Sequence, residues 1–157
     1  ANWVAGQHTL KKHSSRDVAE LLGCAVQAGE PVYAAGAYPY DLPFYARLPH
    51  AVITVEDWSE ARRSSGDNWR RELFEAGDFE PETGRTLLQM PSALAQAPAN
   101  AWLLTPSDAV PYGQQAQWRK VYQGRVWSLW LRALTSESPK APQQERLTRC
   151  QQQSQHQ

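Results

Sequence analysis

Side chains with metal-binding or catalytic potential are few in this sequence, and most of them lie far apart. The four histidines are dispersed, and no two stand four residues apart on one predicted helix, as a metal site would favour: His8, His13, His50 and His156. Neither G-x-S-x-G nor C-x-x-C occurs, so the usual local motifs for an activated nucleophile are missing. Gly36 follows a predicted strand, but without the further glycines of a phosphate-binding loop. We therefore expect no metal and no cofactor, and we assign no catalytic residue.

Two adjacent carboxylates, Glu56 and Asp57, follow a predicted strand at the position where α/β proteins often place their sites. Side chains of neighbouring residues on an extended backbone point to opposite sides, so these two do not form a facing acid–base pair. A solvated strand end is the favoured interpretation.

An aromatic loop between two predicted strands is the strongest candidate for ligand contact. Aromatic faces combined with a few polar groups suit a sugar or a lipid head group, although the same rings would also serve to cover a sheet edge. On residue type alone, core packing is slightly favoured over binding. The candidate binding residues are Tyr38, Tyr40, Asp41, Phe44, Tyr45 and Arg47.

Short apolar runs and one amphipathic helix must position this loop. Ser15 can cap a helix whose apolar residues recur at helical spacing up to Gly29. Buried strands are predicted at 31–37, 51–55 and 101–105, with a short helix at 42–48 between the first two. The sequence therefore predicts a small three-layer-like α/β domain with a mostly parallel sheet and flanking helices.

The rest of the chain carries weaker signals. A helix from Asp67 to about Gly77, a short helix at 92–96 and helical segments within 106–118 are predicted, with a polar segment at 58–66 and a turn-rich one at 78–90. Residues 120–122 and 126–131 are predicted to form a C-terminal β-hairpin across Gln-Gly. We expect a lead-in segment at 1–14, one domain at 15–134, and a polar tail at 135–157 that stays disordered because it has little apolar surface to bury.

Composition narrows the class of protein. The chain has 157 residues, with 16 basic and 16 acidic side chains, and its basic residues form no stripe that would bind nucleic acid. No apolar run reaches the roughly 20 residues of a membrane span. The only methionine is Met90, which leads us to expect a segment of a longer protein. Cys24 is favoured as a small buried residue over a disulfide with Cys150, although the sequence leaves both open.

Four segments resemble, in order, a region of known enzymes. The residues that carry the resemblance are Ser-Ser-Arg-Asp-Val-Ala-Glu-Leu-Leu at 14–22, Leu-Pro-Phe-Tyr-Ala-Arg at 42–47, Ala-Val-Ile-Thr-Val at 51–55 and Ala-Trp-Leu-Leu-Thr at 101–105. Over residues 5–134 the chain resembles the C-terminal soluble region of bacterial glycosyltransferases that use a lipid carrier. These enzymes are related to protein mannosyltransferases and to the lipid A aminoarabinose transferase.

The resemblance implies a parent membrane enzyme that moves a sugar from a polyprenyl-phosphate carrier to a cell-envelope acceptor on the periplasmic face of the inner membrane. Its catalytic acidic residues would lie outside this chain, which would be non-catalytic alone and partnered by the membrane portion of the same polypeptide. A glycan or lipid-linked sugar is the expected ligand. Two alternatives remain: a free-standing sensor that binds a sugar or lipid head group through the aromatic loop, and a small α/β enzyme without a local motif.

Overall fold

The computed structural model describes residues 16–36, 47–66, 68–109, 117–133 and 142–155. Within these ranges the chain forms a six-stranded sheet with flanking helices. The helices are α1 (16–25), α2 (Trp58–Ser64), α3 (Trp69–Phe79), α4 (Pro81–Leu87), α5 (Ala93–Gln96) and α6 (Pro142–Gln155). The strands are β1 (Val32–Ala35), β2 (Ile53–Val55), β3 (Leu88–Gln89), β4 (Trp102–Pro106), β5 (Trp118–Gln123) and β6 (Trp127–Arg132).

The sheet is mixed and mostly parallel, in the order β3-β2-β1-β4-β6-β5. Strand β1 lies between β2 and β4 and pairs in parallel with both, while β3 pairs in parallel with β2. Strand β6 runs antiparallel to β4 and to β5, which forms the predicted hairpin. The predicted α/β class, the parallel centre and the C-terminal hairpin are therefore confirmed.

Both faces of the central strands are buried, which explains why their sequences are continuously apolar instead of alternating. On one face, Val32 and Ala34 of β1 join the core formed with α1 and α6. On the other face, Tyr33 and Ala35 pack with α5, β4 and β6. A third, smaller apolar cluster joins α2 to α3.

Helix α1 follows the predicted apolar stripe but ends earlier than expected. Val18, Leu22 and Ala25 are fully buried, in line with the one-sided pattern. The helix ends at residue 25, and Gly29 then takes a φ of 88° in the turn that leads into β1. Glycine adopts this left-handed conformation without the steric cost that a side chain would add.

Several predicted connections differ from the structure. Residues 58–64, predicted only as part of a polar segment, form α2, because Asp57 caps the helix and the helix buries its own Trp58 and Ala61. The turn-rich segment 78–90 contains α4 and β3. The predicted helical stretch at 106–118 is wrong at both described ends, since Pro106 belongs to β4 and Trp118 to β5. The short helix predicted at 42–48 falls mostly outside the described residues, and residues 47–48 are not helical.

The polar C-terminal segment is ordered, contrary to prediction, over residues 142–155. Helix α6 buries Leu147 and Cys150 against the core that also holds α1. Cys150 forms a disulfide with Cys24, which is exposed and not a buried free thiol as predicted. A covalent bond across 126 residues supplies the attachment that the helix's own small apolar surface does not.

A buried ion pair adds a second attachment for α6. Arg146 donates from Nη2 to Glu30 Oε2, and its Nε donates to the carbonyl oxygen of Ala25 at 2.9 Å. Glu30 Oε1 also accepts from the backbone N–H of Gln27 at 2.8 Å and from the indole of Trp102 at 3.2 Å. The carboxylate is therefore charge-balanced and hydrogen-bonded, as a buried charge has to be.

Helices α3 and α4 meet at a pair of glycines, which yields a testable prediction. A Cβ placed on Gly84 would lie 2.8 Å from the Cα and carbonyl oxygen of Gly77, where the backbone leaves no room. We expect Gly84→Ala to lower the free energy of unfolding by about 1–3 kcal/mol. Urea unfolding checks this against Gly66→Ala, whose Cβ would meet nothing within 4 Å. Equal stability of the two variants would contradict the predicted clash.

Candidate interaction surface

The aromatic loop predicted to bind a ligand lies almost wholly outside the described residues. This applies to Tyr38, Tyr40, Asp41, Phe44 and Tyr45. Arg47, at the end of the loop, is exposed and has a positive φ of 50°. Before the loop, Gly36 takes a φ of 88° and lies against the ring of Pro106, where an added Cβ would approach to 3.3 Å. The binding role of the loop stays a prediction.

The carboxylates that follow β2 have structural partners. Glu56 Oε2 accepts from Arg70 Nε at 2.9 Å, and its side chain is only 14% exposed, so the predicted solvated strand end is wrong for this residue. Asp57 caps α2, because its Oδ1 accepts the backbone N–H of Glu60 at 3.0 Å. The two side chains therefore bind different partners, in agreement with the expectation that they do not form a facing pair.

The tryptophans of the central strands belong to the core. Trp102, Trp127 and Trp130 are buried, and the indole of Trp130 donates to Thr105 Oγ1 at 2.9 Å. Trp69 is half-buried and meets Trp58 edge to face, with 6.4 Å between ring centroids. Their burial makes Trp102, Trp127 and Trp130 packing elements rather than a ligand platform.

An apolar groove, which we call the β2 groove, opens where β2 and β3 meet helices α3 and α4. Its volume is about 550 Å³, within the range that ligand and partner sites occupy. Val52, Thr54 and Leu88 form the sheet side of the groove, and Leu73 and Leu87 contribute from the helices. The described residues that line the groove are mainly apolar and include no histidine or cysteine, a composition that suits the binding of an apolar surface.

An exposed aromatic ring and acidic residues border the β2 groove. Phe79, which lines it, is 86% exposed, the highest value among the exposed large apolar side chains of the described residues. Glu80 also lines the groove, and Glu82 lies exposed in the first turn of α4. Large apolar side chains left in water in this way commonly mark contact surfaces. The border favours a partner that supplies apolar side chains flanked by basic ones.

The neighbouring ion pair fixes part of the charge at this border. Asp78 accepts two hydrogen bonds from Arg62, at 2.7 and 2.8 Å. Hydrogen bonding to Arg62 holds the pKa of Asp78 below its ordinary value, so this carboxylate stays ionised at neutral pH. Because Asp78 is already neutralised by Arg62, Glu80 is the carboxylate that gives the border its acidic character.

The β2 groove could not be predicted from the sequence, because its walls come from separate segments. Ala51 to Thr54 lie far from α3 and α4 along the chain, and the segment 78–90 was predicted as turns. Two signals were present in that segment: Pro81, which is favoured in the first turn of a helix, and the paired Leu87 and Leu88. Neither signal reveals that the two segments meet.

Comparisons with known proteins identify the fold. No family model matches the sequence, and no curated protein matches it significantly. Two solved structures of ArnT from Cupriavidus metallidurans share its architecture, one bound to undecaprenyl phosphate and one in the apo state. The TM-scores are 0.51 and 0.52, at 17% and 16% sequence identity over 83% of this chain. The present chain spans 22% of the length of ArnT, and within its described residues no helix is long and apolar enough to cross a membrane.

Proposed function

We propose that this chain is an extramembrane domain of a bacterial membrane glycosyltransferase, one that transfers a sugar from a polyprenyl-phosphate carrier to a cell-envelope acceptor. The observation that carries the proposal is the fold likeness to ArnT over most of the chain. ArnT is a lipid A aminoarabinose transferase that uses a polyprenyl-phosphate carrier. Because the likeness covers only 22% of ArnT, the membrane portion and the catalytic residues of the parent enzyme would come from elsewhere in the polypeptide.

The disulfide supports a location on the periplasmic face. Disulfides persist in oxidising compartments such as the bacterial periplasm and are rare in the cytosol, where thiols are kept reduced. Cys24 is exposed, so a cytosolic reductant would reach the Cys24–Cys150 bond. A structural disulfide at an accessible position therefore favours a compartment in which it is not reduced.

The β2 groove supports contact with the membrane portion of the same polypeptide. A domain that acts alone gains nothing from exposing Phe79 beside an apolar groove of this volume. Covering the groove with apolar side chains from the membrane portion would remove that surface from water. Basic residues near the membrane would complement Glu80.

The first test is genetic and biochemical. The native reading frame should encode many apolar spans before the first residue of this chain, and the full-length enzyme should transfer sugar from undecaprenyl-phosphate-sugar in proteoliposomes. The 157-residue chain alone should show no transfer. A reading frame without membrane spans, or sugar transfer by the isolated chain, would overturn the proposal.

Substitution at the groove tests the contact. In the full-length enzyme we expect Phe79→Glu to lower transfer about tenfold, which corresponds to about 1.4 kcal/mol. The folding of the domain should be unaffected, because Phe79 is 86% exposed. The matched control is Val126→Glu, which alters another exposed apolar side chain near the β5–β6 turn. Equal activities of the two variants would show that the groove does not make the contact.

A further inference from the structure

A second cavity, which we call the disulfide cleft, lies among α1, β5 and α6. It has a volume of about 890 Å³, at the upper end of the range for small-molecule sites. The cleft is lined by the disulfide, by Leu21 and Tyr122, and by polar side chains of both helices. It is distinct from the β2 groove, with which it shares no lining residue.

Part of the cleft offers apolar surface on a rigid base. Leu21 is buried, and the half-buried Tyr122 packs against the core that joins α1 to α6. The Cys24–Cys150 bond ties the two helices together beside them. Because helices α1 and α6 are already held in place, a ligand would not have to order them on binding. The entropic cost of binding is therefore lower.

Polar groups with open hydrogen-bonding capacity complete the lining. Asp17 and Gln152 are exposed, and neither makes a hydrogen bond to another described residue. Thr148 donates to the carbonyl oxygen of Gln144 at 2.9 Å and keeps acceptor capacity on its oxygen. Burial, and secondarily the charge of Asp17, raise the pKa of the Tyr122 phenol, which therefore remains a protonated donor at neutral pH.

The charge of the cleft decides which class of ligand it suits. Among the described residues that line it, none is a lysine, an arginine or a histidine. Its two carboxylates are Asp17 and Glu20, and Arg16 pairs with Glu20 at 3.0 Å. Phosphate, sulfate and carboxylate ligands would meet the negative charge of Asp17 with no cation among the described lining residues to balance it. A ligand that is uncharged but rich in hydroxyl groups avoids this repulsion and can hydrogen-bond to the polar side chains of the lining.

We propose that the disulfide cleft binds an uncharged sugar. The C–H faces of the sugar would lie over Tyr122 and Leu21, and its hydroxyl groups would hydrogen-bond to Asp17, Gln152 and Thr148. A carboxylate, an amide and a tyrosine ring in the lining of one cleft supply the hydrogen-bonding groups and the apolar face that complement a pyranose. The proposal does not depend on the membrane-enzyme function, because the cleft is formed by this chain alone.

The experiment uses the 157-residue chain and saturation-transfer NMR with methyl glycosides of glucose, N-acetylglucosamine and arabinose. We expect saturation transfer from the protein to at least one glycoside, with millimolar affinity, and weaker transfer to glucose 6-phosphate. Asp17→Asn and Gln152→Ala should each weaken binding several-fold. Asp108→Asn, which alters an exposed carboxylate outside the cleft, should leave binding unchanged.

Three outcomes would overturn the proposal. The first is no transfer to any of the glycosides at millimolar concentration. The second is binding that survives both Asp17→Asn and Gln152→Ala, which would place the ligand elsewhere, for example at the aromatic loop. The third is a preference for the phosphorylated sugar. None of these outcomes bears on the membrane-enzyme proposal, which the reading frame and the transfer assay test separately.

Discussion

Removing the Cys24–Cys150 disulfide should lower the free energy of unfolding by about 2–5 kcal/mol. The bond closes a loop of 126 residues, so breaking it allows the unfolded chain far more conformations. In the chain-entropy account, this effect grows with the length of the closed loop. The loss would be a large fraction of the total for a domain of this size, since whole domains are stable by only about 5–15 kcal/mol.

Urea unfolding followed by tryptophan fluorescence measures this effect. The double variant Cys24→Ser/Cys150→Ser and the native chain in a phosphine reductant should unfold at the same, lower urea concentration. A Cys24→Ala/Cys150→Ala variant separates the loss of the bond from the burial of a serine hydroxyl, because Cys150 is buried. An unfolding midpoint that neither the substitutions nor the reductant shifts would show that the bond does not stabilise the domain.

The central strands were predictable because local sequence determines them. β1 and β2 lie within predicted apolar runs, β4 exceeds its predicted run only by Pro106, and the buried residues of α1 follow helical spacing. Pro31 and Gly36 flank β1, so the predicted limits of this strand, 31–37, were nearly right. A strand that is buried on both faces of the sheet has a continuous run of apolar residues. This run can be recognised in the sequence without knowing which strands or helices pack against it.

Helices α2 and α4 were not predictable in the same way. Helix α4 buries none of its residues, and α2 buries only Trp58 and Ala61. Their sequences therefore carry almost no apolar period. They are held by a cap at Asp57 and by the close contact of Gly77 with Gly84, which depend on how separate segments meet. The β2 groove could not be predicted for the same reason, because it forms only where α3 and α4 pack beside β2.

Helix α6 shows the limit of composition as a guide to order. Its glutamine-rich sequence has little apolar surface, and composition alone predicts disorder. The contacts that fix it reach back more than 100 residues, from Cys150 to Cys24 and from Arg146 to Glu30. With two cysteines, the sequence is compatible both with a disulfide and with free thiols. Neither Glu30 nor Arg146 stands in a motif that would predict their ion pair. Helix α6 is therefore ordered by its tertiary contacts, which its local sequence does not reveal.

The Glu30–Arg146 ion pair leads to the second large prediction. We expect Arg146→Met to lower the free energy of unfolding by about 3–5 kcal/mol, the usual cost of leaving one partner of a buried pair without its counter-charge. Methionine keeps much of the apolar stem of the arginine, so the loss reports mainly on charge and hydrogen bonding. Gln27 and Trp102 still donate hydrogen bonds to Glu30 in the variant. We therefore expect a loss near the lower end of this range, about 3 kcal/mol.

A double-mutant cycle isolates the interaction between the two side chains. Glu30→Gln/Arg146→Met should be less destabilised than the sum of its single variants, because the amide of the glutamine needs no counter-charge. The control is Arg63→Met, which breaks the exposed Glu60–Arg63 pair and should cost less than about 1 kcal/mol. If Arg146→Met and Arg63→Met cost the same, or if the two single losses simply add, then α6 is held by the disulfide and its apolar contacts and not by the buried charge pair.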